Sequence, residues 1–342
     1  MHENKHLRIA VMIAASILGC YNYYLGALLF FASAFITSAN VNFIEYILLF
    51  IPVFFKAQSI DVLSSGDLHS YVSIYNTYAS GGVHENFSAH EFALLFIFDL
   101  FSSVTGEITN SQLAFGFTLS VFLLFYPICT KIKNSTLIIC LLAALDVNLI
   151  IHLFRQSCSI LIFMNGFVLY ERNKSLAFIL FVASYFMHIT SSYLIFSFFL
   201  LDRLSFKLLK SGLVLSFVFG LFLFSKFSNF LFDFLRSYGS NPLIAKAAYG
   251  LNFVNDANVV SGFRLMAVLA GVVIFFTPII NQTYLNAKIL KICILNLSVS
   301  FLMFHFPIVS TRVGLISTSL FTGFILGFFI LECVSFVKKR QA

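Results

Sequence analysis

The sequence predicts an all-α fold, a polytopic membrane protein with about 10–12 transmembrane helices. Two observations lead to this prediction. Of the 342 residues, 60% are hydrophobic and only 10% are charged, and the mean hydropathy is +0.95. A soluble domain carries about 25% charged residues, so this composition argues against a soluble protein. The apolar residues also form long unbroken runs, which is typical of helices that satisfy their own backbone hydrogen bonds in lipid.

Ten apolar segments are candidate membrane spans, with ends defined to about two to four residues. The segment from 175 to 201 has basic clusters at both ends, which predicts a hairpin that turns near His188. The segment from 9 to 37 has two alternatives: a hairpin that turns at Asn22, or one long helix. The ten segments cover residues 9–37, 43–57, 111–130, 135–151, 155–170, 175–201, 206–226, 263–281, 288–305 and 313–337.

Lysine and arginine collect in six short clusters that flank the apolar segments. The positive-inside rule places such clusters in cytoplasmic loops. With all six inside, the sequence predicts cytoplasmic termini, external loops over about 58–110 and 227–262, and one membrane domain over 1–342. The net charge of +7 is then a topology signal rather than evidence for a nucleic-acid partner. The clusters are Lys5/Arg8, Lys131/Lys133, Arg172/Lys174, Arg203/Lys207/Lys210, Lys288/Lys291 and Lys338/Lys339/Arg340.

The loop over 58–110 is the least apolar part of the first half of the chain. Its side chains Asp67, Tyr71, Tyr75 and Tyr78 recur at spacings of four, four and three residues, which places them on one face of a helix. A Gly-Gly turn follows. The run Glu91–Leu100 is then too short to span a bilayer, for which about 20 residues are needed, so it predicts an interfacial or re-entrant helix.

Arg155 and His188 lie within sequence apolar enough to cross a bilayer. An arginine near the bilayer centre costs at least about 2.5–3.5 kcal/mol, so such a residue is a functional candidate. Arginine binds phosphate through its planar fork, and a histidine or carboxylate can act as a general base. Under the predicted topology seven such residues lie near the external face: Asp67, Glu91, Arg155, His188, Arg264, His305 and Arg312.

Each candidate also has a structural alternative. Arg264 and Arg312 are also interpretable as helix-end anchors, and His188 as a core histidine with satisfied hydrogen bonds. The tyrosines are also typical of a membrane-interface belt, as an alternative to contacting sugars. The six scattered cysteines form no metal-ligand or disulfide pattern, and we expect neither a metal nor another cofactor.

The order of these residues resembles the EpsG-like family of bacterial exopolysaccharide and O-antigen polymerases, the Wzy type. The element Gly66-Asp67-Leu68-His69-Ser70-Tyr71 resembles the family's early external motif, and Glu91-Phe92 its acidic helix start. Arg155-Gln156 resembles the Arg-Gln that begins a later helix. Phe186-Met187-His188 with the serines that follow, and the late Arg312, complete the resemblance.

The resemblance implies a C-type glycosyltransferase-like fold in a bacterial inner membrane and a reaction at its outer face. The donor would be an oligosaccharide on undecaprenyl pyrophosphate, and the acceptor a hydroxyl of a second lipid-linked repeat unit. Membrane lipid and a chain-length regulator are further implied partners. Arg155, His188 and Asp67 would be catalytic. The substrate-binding residues would be Tyr71, Tyr75, Glu91, Gln156, Arg264, His305 and Arg312.

Two other classes of protein also place arginine and histidine inside a membrane. A lipid-linked oligosaccharide flippase or transporter needs intramembrane arginines around a cavity reachable from both sides, but the sequence shows no two-half repeat of the kind many transporters have. A membrane O-acyltransferase that modifies the same glycans would use a histidine as base. We therefore expect a glycosyltransferase, with these two classes as alternatives.

Overall fold

The computed structural model describes residues 2–33, 36, 41–59, 66–82, 92–132, 151, 153–188, 191–222 and 284–302. Within these ranges the secondary structure is helical throughout, with no β-strand. This agrees with the all-α prediction. Most of the predicted span 135–151, together with the spans 263–281 and 313–337, lies outside the described residues, as do the ends of the spans at 206–226 and 288–305.

Eleven helices are described. The predicted spans 43–57, 111–130 and 155–170 each correspond to one of them within a few residues. The helices are α1 (His2–Tyr21), α2 (Tyr23–Ser33), α3 (Phe43–Gln58), α4 (Gly66–Ala79), α5 (Phe92–Thr105), α6 (Asn110–Ile132), α7 (Phe154–Leu169), α8 (Lys174–Met187), α9 (Ser191–Leu200), α10 (Phe206–Phe222) and α11 (Tyr284–Leu302).

The described helices fall into two compact units that divide within α9, between Ile195 and Phe196. The first unit contains α1 to α8 and the start of α9. The second contains the end of α9 together with α10 and α11.

The N-terminal segment is a helical hairpin that turns at Asn22, which confirms the first of its two alternatives. The Asn22 amide donates to the Leu18 carbonyl at 2.8 Å, and the Asn22 side-chain oxygen accepts from the Leu25 amide at 3.2 Å. The turn residue therefore caps α1 and starts α2. The two helices approach so closely that a Cβ on Gly26 would overlap the backbone of Gly19.

A buried ion pair joins α1 to α3. Arg8 Nε donates to Glu45 Oε1 at 2.9 Å, Arg8 Nη2 donates to Glu45 Oε2 at 2.8 Å, and neither side chain is exposed. Glu45 also accepts from the Asn42 amide at 2.8 Å, and the Asn42 side chain accepts in return from the Glu45 amide at 2.9 Å. These reciprocal bonds form a capping box at the start of α3.

This pair corrects the interpretation of Arg8 as part of a solvated cytoplasmic cluster. Glu45 neutralises the guanidinium inside the helix packing, so Arg8 carries no orientation signal. Lys5 is exposed and remains the basic residue that marks the start of α1.

Contacts between α3, α6, α7 and α8 define the directions in which these four helices run relative to one another. Rings pair Phe43 with Tyr126 and Phe54 with Phe115, so α3 and α6 run antiparallel. Phe117 stacks on Phe154 near the start of both α6 and α7. Further along the same two helices, the Asn165 side chain donates to the Leu124 carbonyl at 2.7 Å, so α6 and α7 run parallel. A tight turn over 170–173 then reverses the chain into α8, which packs along α7.

These directions give the first unit two chemically different ends. Lys5, Arg172 and Lys174 lie at one end, which we call the basic end. Tyr71, Arg155 and His188 lie at the other, which we call the Arg155 end. The sequence predicted the separation of these residues from its six basic clusters, which do not include Lys56, an exposed lysine that lies at the Arg155 end in the last turn of α3. Within the first unit the separation now follows from helix packing, independently of any membrane rule.

In the second unit, the start of α11 is held against the turn between α9 and α10. The buried Lys288 ammonium lies 3.0 Å from an Asp202 carboxylate oxygen and over the Phe198 ring, and Lys291 donates to the Leu201 carbonyl at 2.9 Å. Further along, the Phe217 and Phe301 rings meet edge to face. The cluster Lys288/Lys291 and the cluster that begins at Arg203 therefore lie at the same end of this unit. Lys288 and Lys291 also form contacts inside the unit, with Asp202 and with the Leu201 carbonyl.

The outward surfaces of most described helices are apolar. Large apolar side chains are exposed on α1, α2, α3, α5, α6 and α8 to α10, including Leu28, Phe101, Leu123, Phe178 and Leu215. Exposure of so many large apolar side chains is unusual for a soluble monomer and is typical of a surface covered by another apolar phase. Among the described residues, one helix is by itself long and apolar enough to cross a membrane, at Asn110–Thr130, and six apolar helices are shorter.

The helix is interrupted near His188, where the sequence predicted a hairpin turn, because α8 ends at Met187 and α9 begins at Ser191. That these two helices pack as a hairpin stays a prediction. At 1.5 Å per residue, α8 with 14 residues is about 21 Å long and α9 with 10 residues is about 15 Å long. Both are shorter than the bilayer's hydrocarbon core of about 30 Å. Two complete crossings over 175–201, as the sequence predicted, therefore do not fit these lengths.

The buried ion pair makes a specific prediction about stability. Replacing Glu45 with Met leaves Arg8 buried without its carboxylate partner, and we expect a loss of about 3–5 kcal/mol, seen as lower membrane abundance and a lower Tm in detergent. The double variant Arg8→Met with Glu45→Met removes both charges and should recover most of that loss. Lys5→Met is the exposed control and should be near neutral. An equally small effect of Glu45→Met and Lys5→Met would contradict the role assigned to the pair.

Candidate functional site

Five of the predicted site residues have described side chains, and all five belong to the first unit: Tyr71, Tyr75, Arg155, Gln156 and His188. Asp67 lies in the first turn of α4, where the backbone alone is described. The other four predicted residues lie outside the described residues: Glu91, Arg264, His305 and Arg312.

Helix α4 has one buried and one exposed face. Leu68, Tyr71 and Tyr75 recur every three or four residues and are buried. Tyr71 and Tyr75 share one face, as their spacing predicted, whereas Tyr78 is half-buried. The helix ends in a Schellman motif, in which the Gly81 amide donates to the Tyr78 carbonyl at 3.0 Å and the Gly82 amide to the Thr77 carbonyl at 2.8 Å. Gly81 has a φ of 78°, a conformation that favours glycine.

The central contact of the site joins Arg155 to Tyr71 across 84 positions of sequence. Arg155 Nε donates to the Tyr71 hydroxyl at 3.0 Å. The guanidinium carbon also lies 5.5 Å from the centre of the Tyr71 ring, within cation–π range. These two contacts orient the guanidinium relative to α4.

Aromatic packing around Tyr71 and the start of α7 supports this contact. The Tyr71 ring meets Phe117 of α6 edge to face at 5.5 Å, and Phe117 stacks on Phe154 with ring centres 3.6 Å apart. Phe154 directly precedes Arg155, so the same stack fixes the first turn of α7. The position of Arg155 is therefore determined by three helices.

Tyr75 and Asn76 hold α4 against its neighbours. The Tyr75 hydroxyl hydrogen-bonds the Thr105 hydroxyl, and its ring meets Phe98 edge to face. The Asn76 side chain accepts from the Ile108 amide at 3.0 Å and donates to the Ile108 carbonyl at 3.1 Å. Because Tyr71 and Tyr75 are only 4% and 3% exposed, their surfaces are used mainly within the protein. Direct contact of these tyrosines with sugar stays a prediction.

His188 lies where α8 ends, with an extended backbone (φ −160°, ψ 129°). The residue is buried, with 7% of its surface exposed. Its carbonyl accepts from both the amide and the hydroxyl of Ser191, each at 3.1 Å. Ser159 of α7 donates to the Ser184 carbonyl at 2.8 Å and also lies 3.4 Å from the His188 carbonyl. The backbone at His188 is thus held from α9 and from α7.

Gln156 is 2% exposed and directly follows Arg155, so its side chain lies within the helix packing. Two further polar residues of α7 were not identified from the sequence: Ser159 and Asn165. Their spacing from Arg155, at four and ten residues, was the available signal, but it is common on any helix. Within the described ranges no group of three His, Cys, Asp or Glu side chains is placed to hold a metal ion.

The Arg155 end contains the Arg155 guanidinium, which is oriented by Tyr71, and the buried His188. A fixed guanidinium suits a phosphate or pyrophosphate group, because its planar fork matches two phosphate oxygens. An imidazole suits proton transfer near neutral pH. The described part of the site therefore contains side chains of the types that suit anion binding and proton transfer.

Comparison with known proteins supports the resemblance seen in the sequence. The sequence model of the EpsG family matches residues 43–342, which include every predicted site residue. Members of this family are exopolysaccharide or O-antigen polymerase-like. Comparisons with curated proteins and with solved structures gave no significant match. Because the match covers far more than half of the chain, the protein belongs to the EpsG family.

Proposed function

We propose that this protein is a polysaccharide polymerase of the Wzy type that joins lipid-linked repeat units at the outer face of a bacterial inner membrane. The observation that carries the proposal is the Arg155 guanidinium, oriented by the Tyr71 hydroxyl at 3.0 Å on a helix that also contacts the His188 backbone. The family match supports a polymerase-like role, and the site chemistry supports a pyrophosphate-linked substrate.

The proposed reaction is transfer of a glycan from one undecaprenyl pyrophosphate carrier to a second repeat unit. A hydroxyl oxygen of the acceptor attacks the anomeric carbon of the donor glycan, and a new C–O bond forms. The bond from that carbon to the pyrophosphate oxygen breaks, and its electron pair leaves with the pyrophosphate. The acceptor hydroxyl gives its proton to a base on the protein.

Arg155 is assigned to the departing pyrophosphate, where negative charge develops. His188 or Asp67 is assigned as the base that accepts the hydroxyl proton. Tyr71 orients Arg155, and Tyr75 holds α4 in place. Gln156, Glu91, Arg264, His305 and Arg312 are assigned to substrate binding from the family resemblance. Because the leaving group is already a stabilised anion, the reaction needs no metal ion.

The exposed side of α4 supports an aqueous location for the Arg155 end. His69, Ser70 and Ser73 are exposed on this helix, whereas large apolar side chains are exposed on most of the other described helices. A helix that is buried on one face and polar on the other fits a membrane surface in contact with water. We therefore place the substrate's sugars and pyrophosphate at this end and its lipid tail along the apolar helix faces.

The first test is complementation of a strain that lacks the gene. We expect the deletion strain to carry a single repeat unit on its lipid acceptor, and the wild-type protein to restore long chains. Arg155→Ala and His188→Ala should each reduce the long-chain ladder at least about tenfold at equal membrane abundance. Arg172→Ala removes an exposed arginine at the basic end and should restore the ladder fully.

Other outcomes of the same gel would contradict the proposal. Loss of all repeat units from the cell surface in the deletion strain would favour the flippase alternative. Long chains with altered acylation would favour the O-acyltransferase alternative. A full ladder with both Arg155→Ala and His188→Ala would show that the reaction does not use this site.

The Tyr71 hydroxyl provides a sharper test of how Arg155 is held. Tyr71→Phe keeps the ring and its packing but removes the acceptor of the Arg155 hydrogen bond. A hydrogen bond to a charged group contributes about 1.5–3 kcal/mol, so we expect the polymerisation rate to fall by about tenfold or more. Tyr46→Phe is the matched control, because the buried Tyr46 hydroxyl donates to the Phe122 carbonyl at 2.6 Å near the basic end. Equal rates for the two variants would contradict the role of Tyr71.

The membrane placement predicts opposite sides for the two ends of the first unit. Alkaline phosphatase and green fluorescent protein can each be fused after Gly81 and after Arg172, both of which lie in turns between helices. We expect phosphatase activity from the Gly81 fusion and fluorescence from the Arg172 fusion, because each reporter works on one side of the inner membrane. Phosphatase activity from both fusions, or from neither, would contradict the proposed placement.

A further inference from the structure

Ser159 lies on the same helix as Arg155 and its hydroxyl reaches the backbone at the end of α8, where His188 lies. Neither the family match nor the sequence pattern assigns it a role. It lies one helical turn after Arg155 and is completely buried. Its hydroxyl lies 2.8 Å from the Ser184 carbonyl and 3.4 Å from the His188 carbonyl. By distance, the Ser184 contact is the principal hydrogen bond and the His188 contact is a weaker second one.

The carbonyls that Ser159 contacts already have other donors. The Ser184 carbonyl accepts from the His188 amide at 3.1 Å, which completes the last turn of α8. The His188 carbonyl accepts from Ser191, as described above. The Ser159 hydroxyl is therefore not required to satisfy buried carbonyl groups. What it adds is a direct link between α7 and the point where α8 ends.

Packing of α7 on α8 does not depend on this link either. The Phe163 and Phe181 rings stack at 5.2 Å, and Tyr170 stacks on Phe181 from the turn between the helices. These contacts lie toward the basic end. Without the Ser159 bond the two helices would still pack there, but the backbone at His188 would be less constrained relative to Arg155.

We propose that Ser159 is a positioning residue that fixes His188 relative to Arg155 for glycosyl transfer. The inference rests on the proposed function, because it takes Arg155 and His188 as the reacting pair. Catalysis by two groups depends on their separation, and a displacement of about 1 Å can cost about a hundredfold in rate. The bond from α7 to the end of α8 limits that displacement.

The test uses full-length protein purified in detergent. Its substrate is a membrane extract from the deletion strain, which holds the accumulated lipid-linked repeat unit. The rate of chain growth is measured per folded molecule at several extract concentrations. We expect Ser159→Ala to lower kcat by about tenfold while KM changes by less than about twofold. A residue that binds the ground state and the transition state equally would instead raise KM and leave kcat unchanged.

Ser16→Ala is the matched control. Ser16 is also a buried serine whose hydroxyl bridges two helices, since it lies 2.9 Å from the Met12 carbonyl and 2.6 Å from the Leu48 carbonyl. Both variants remove the same kind of bond, so we expect similar changes in Tm. A kcat close to wild type for Ser159→Ala, or an equal fall in kcat for both variants, overturns the inference.

Arg155→Ala and His188→Ala in the same assay separate failure of this inference from failure of the proposed function. If these two variants are inactive while Ser159→Ala is fully active, the site is correct and Ser159 has no positioning role. If both Arg155→Ala and His188→Ala keep the wild-type rate, the proposed function fails at this site and the inference fails with it. If His188→Ala alone keeps that rate, His188 is not the base and the inference fails, while the proposed function stands with Asp67 as the base.

Discussion

Helix α7 is largely buried among its neighbours, and three of its polar side chains form hydrogen bonds to other helices. Leaving a buried polar group without a partner costs about 1–3 kcal/mol, so each such residue favours one arrangement of the helices around it. Asn165 binds a carbonyl of α6, Ser159 binds the end of α8, and Arg155 reaches Tyr71 on α4. Apolar side chains would allow these helices to slide or rotate with little loss. The polar residues of α7 make its packing with three neighbouring helices specific, and the same residues form the candidate site.

Most of the local structure could be predicted from the sequence. The turn at Asn22 and the break at His188 are marked by polar residues within apolar runs, and both lie where they were expected. The tyrosine face of α4 follows from helical spacing alone. The lengths of the helices were less predictable, because hydropathy does not reveal where the backbone leaves the helical conformation. Helices α8 and α9 are too short for the two complete crossings that the sequence predicted.

Contacts between distant residues could not be predicted in this way. Arg8 and Glu45 are 37 positions apart, so an arginine near the N-terminus was interpreted as a topology signal when it is half of a buried ion pair. Arg155 and Tyr71 are 84 positions apart; both were candidates, but their direct contact depends on how α4 packs on α6 and α7. Ser159 and Ser157 are equally polar in sequence. The structure distinguishes them because Ser159 lies within reach of carbonyls at the end of α8.

The two ion pairs show why charge alone does not locate the site. Arg8 and Lys288 are both buried cations, but each has a carboxylate partner, so each charge is largely cancelled within its own unit. Arg155 is half-buried and is tied to Tyr71 by a hydrogen bond and a ring contact, on the helix whose Ser159 reaches the His188 backbone. A guanidinium that is already ordered can stabilise an anion that forms during a reaction, because it needs no reorganisation at that moment. Its place beside Tyr71 and near the end of α8, rather than charge alone, is the reason we assign the pyrophosphate to Arg155.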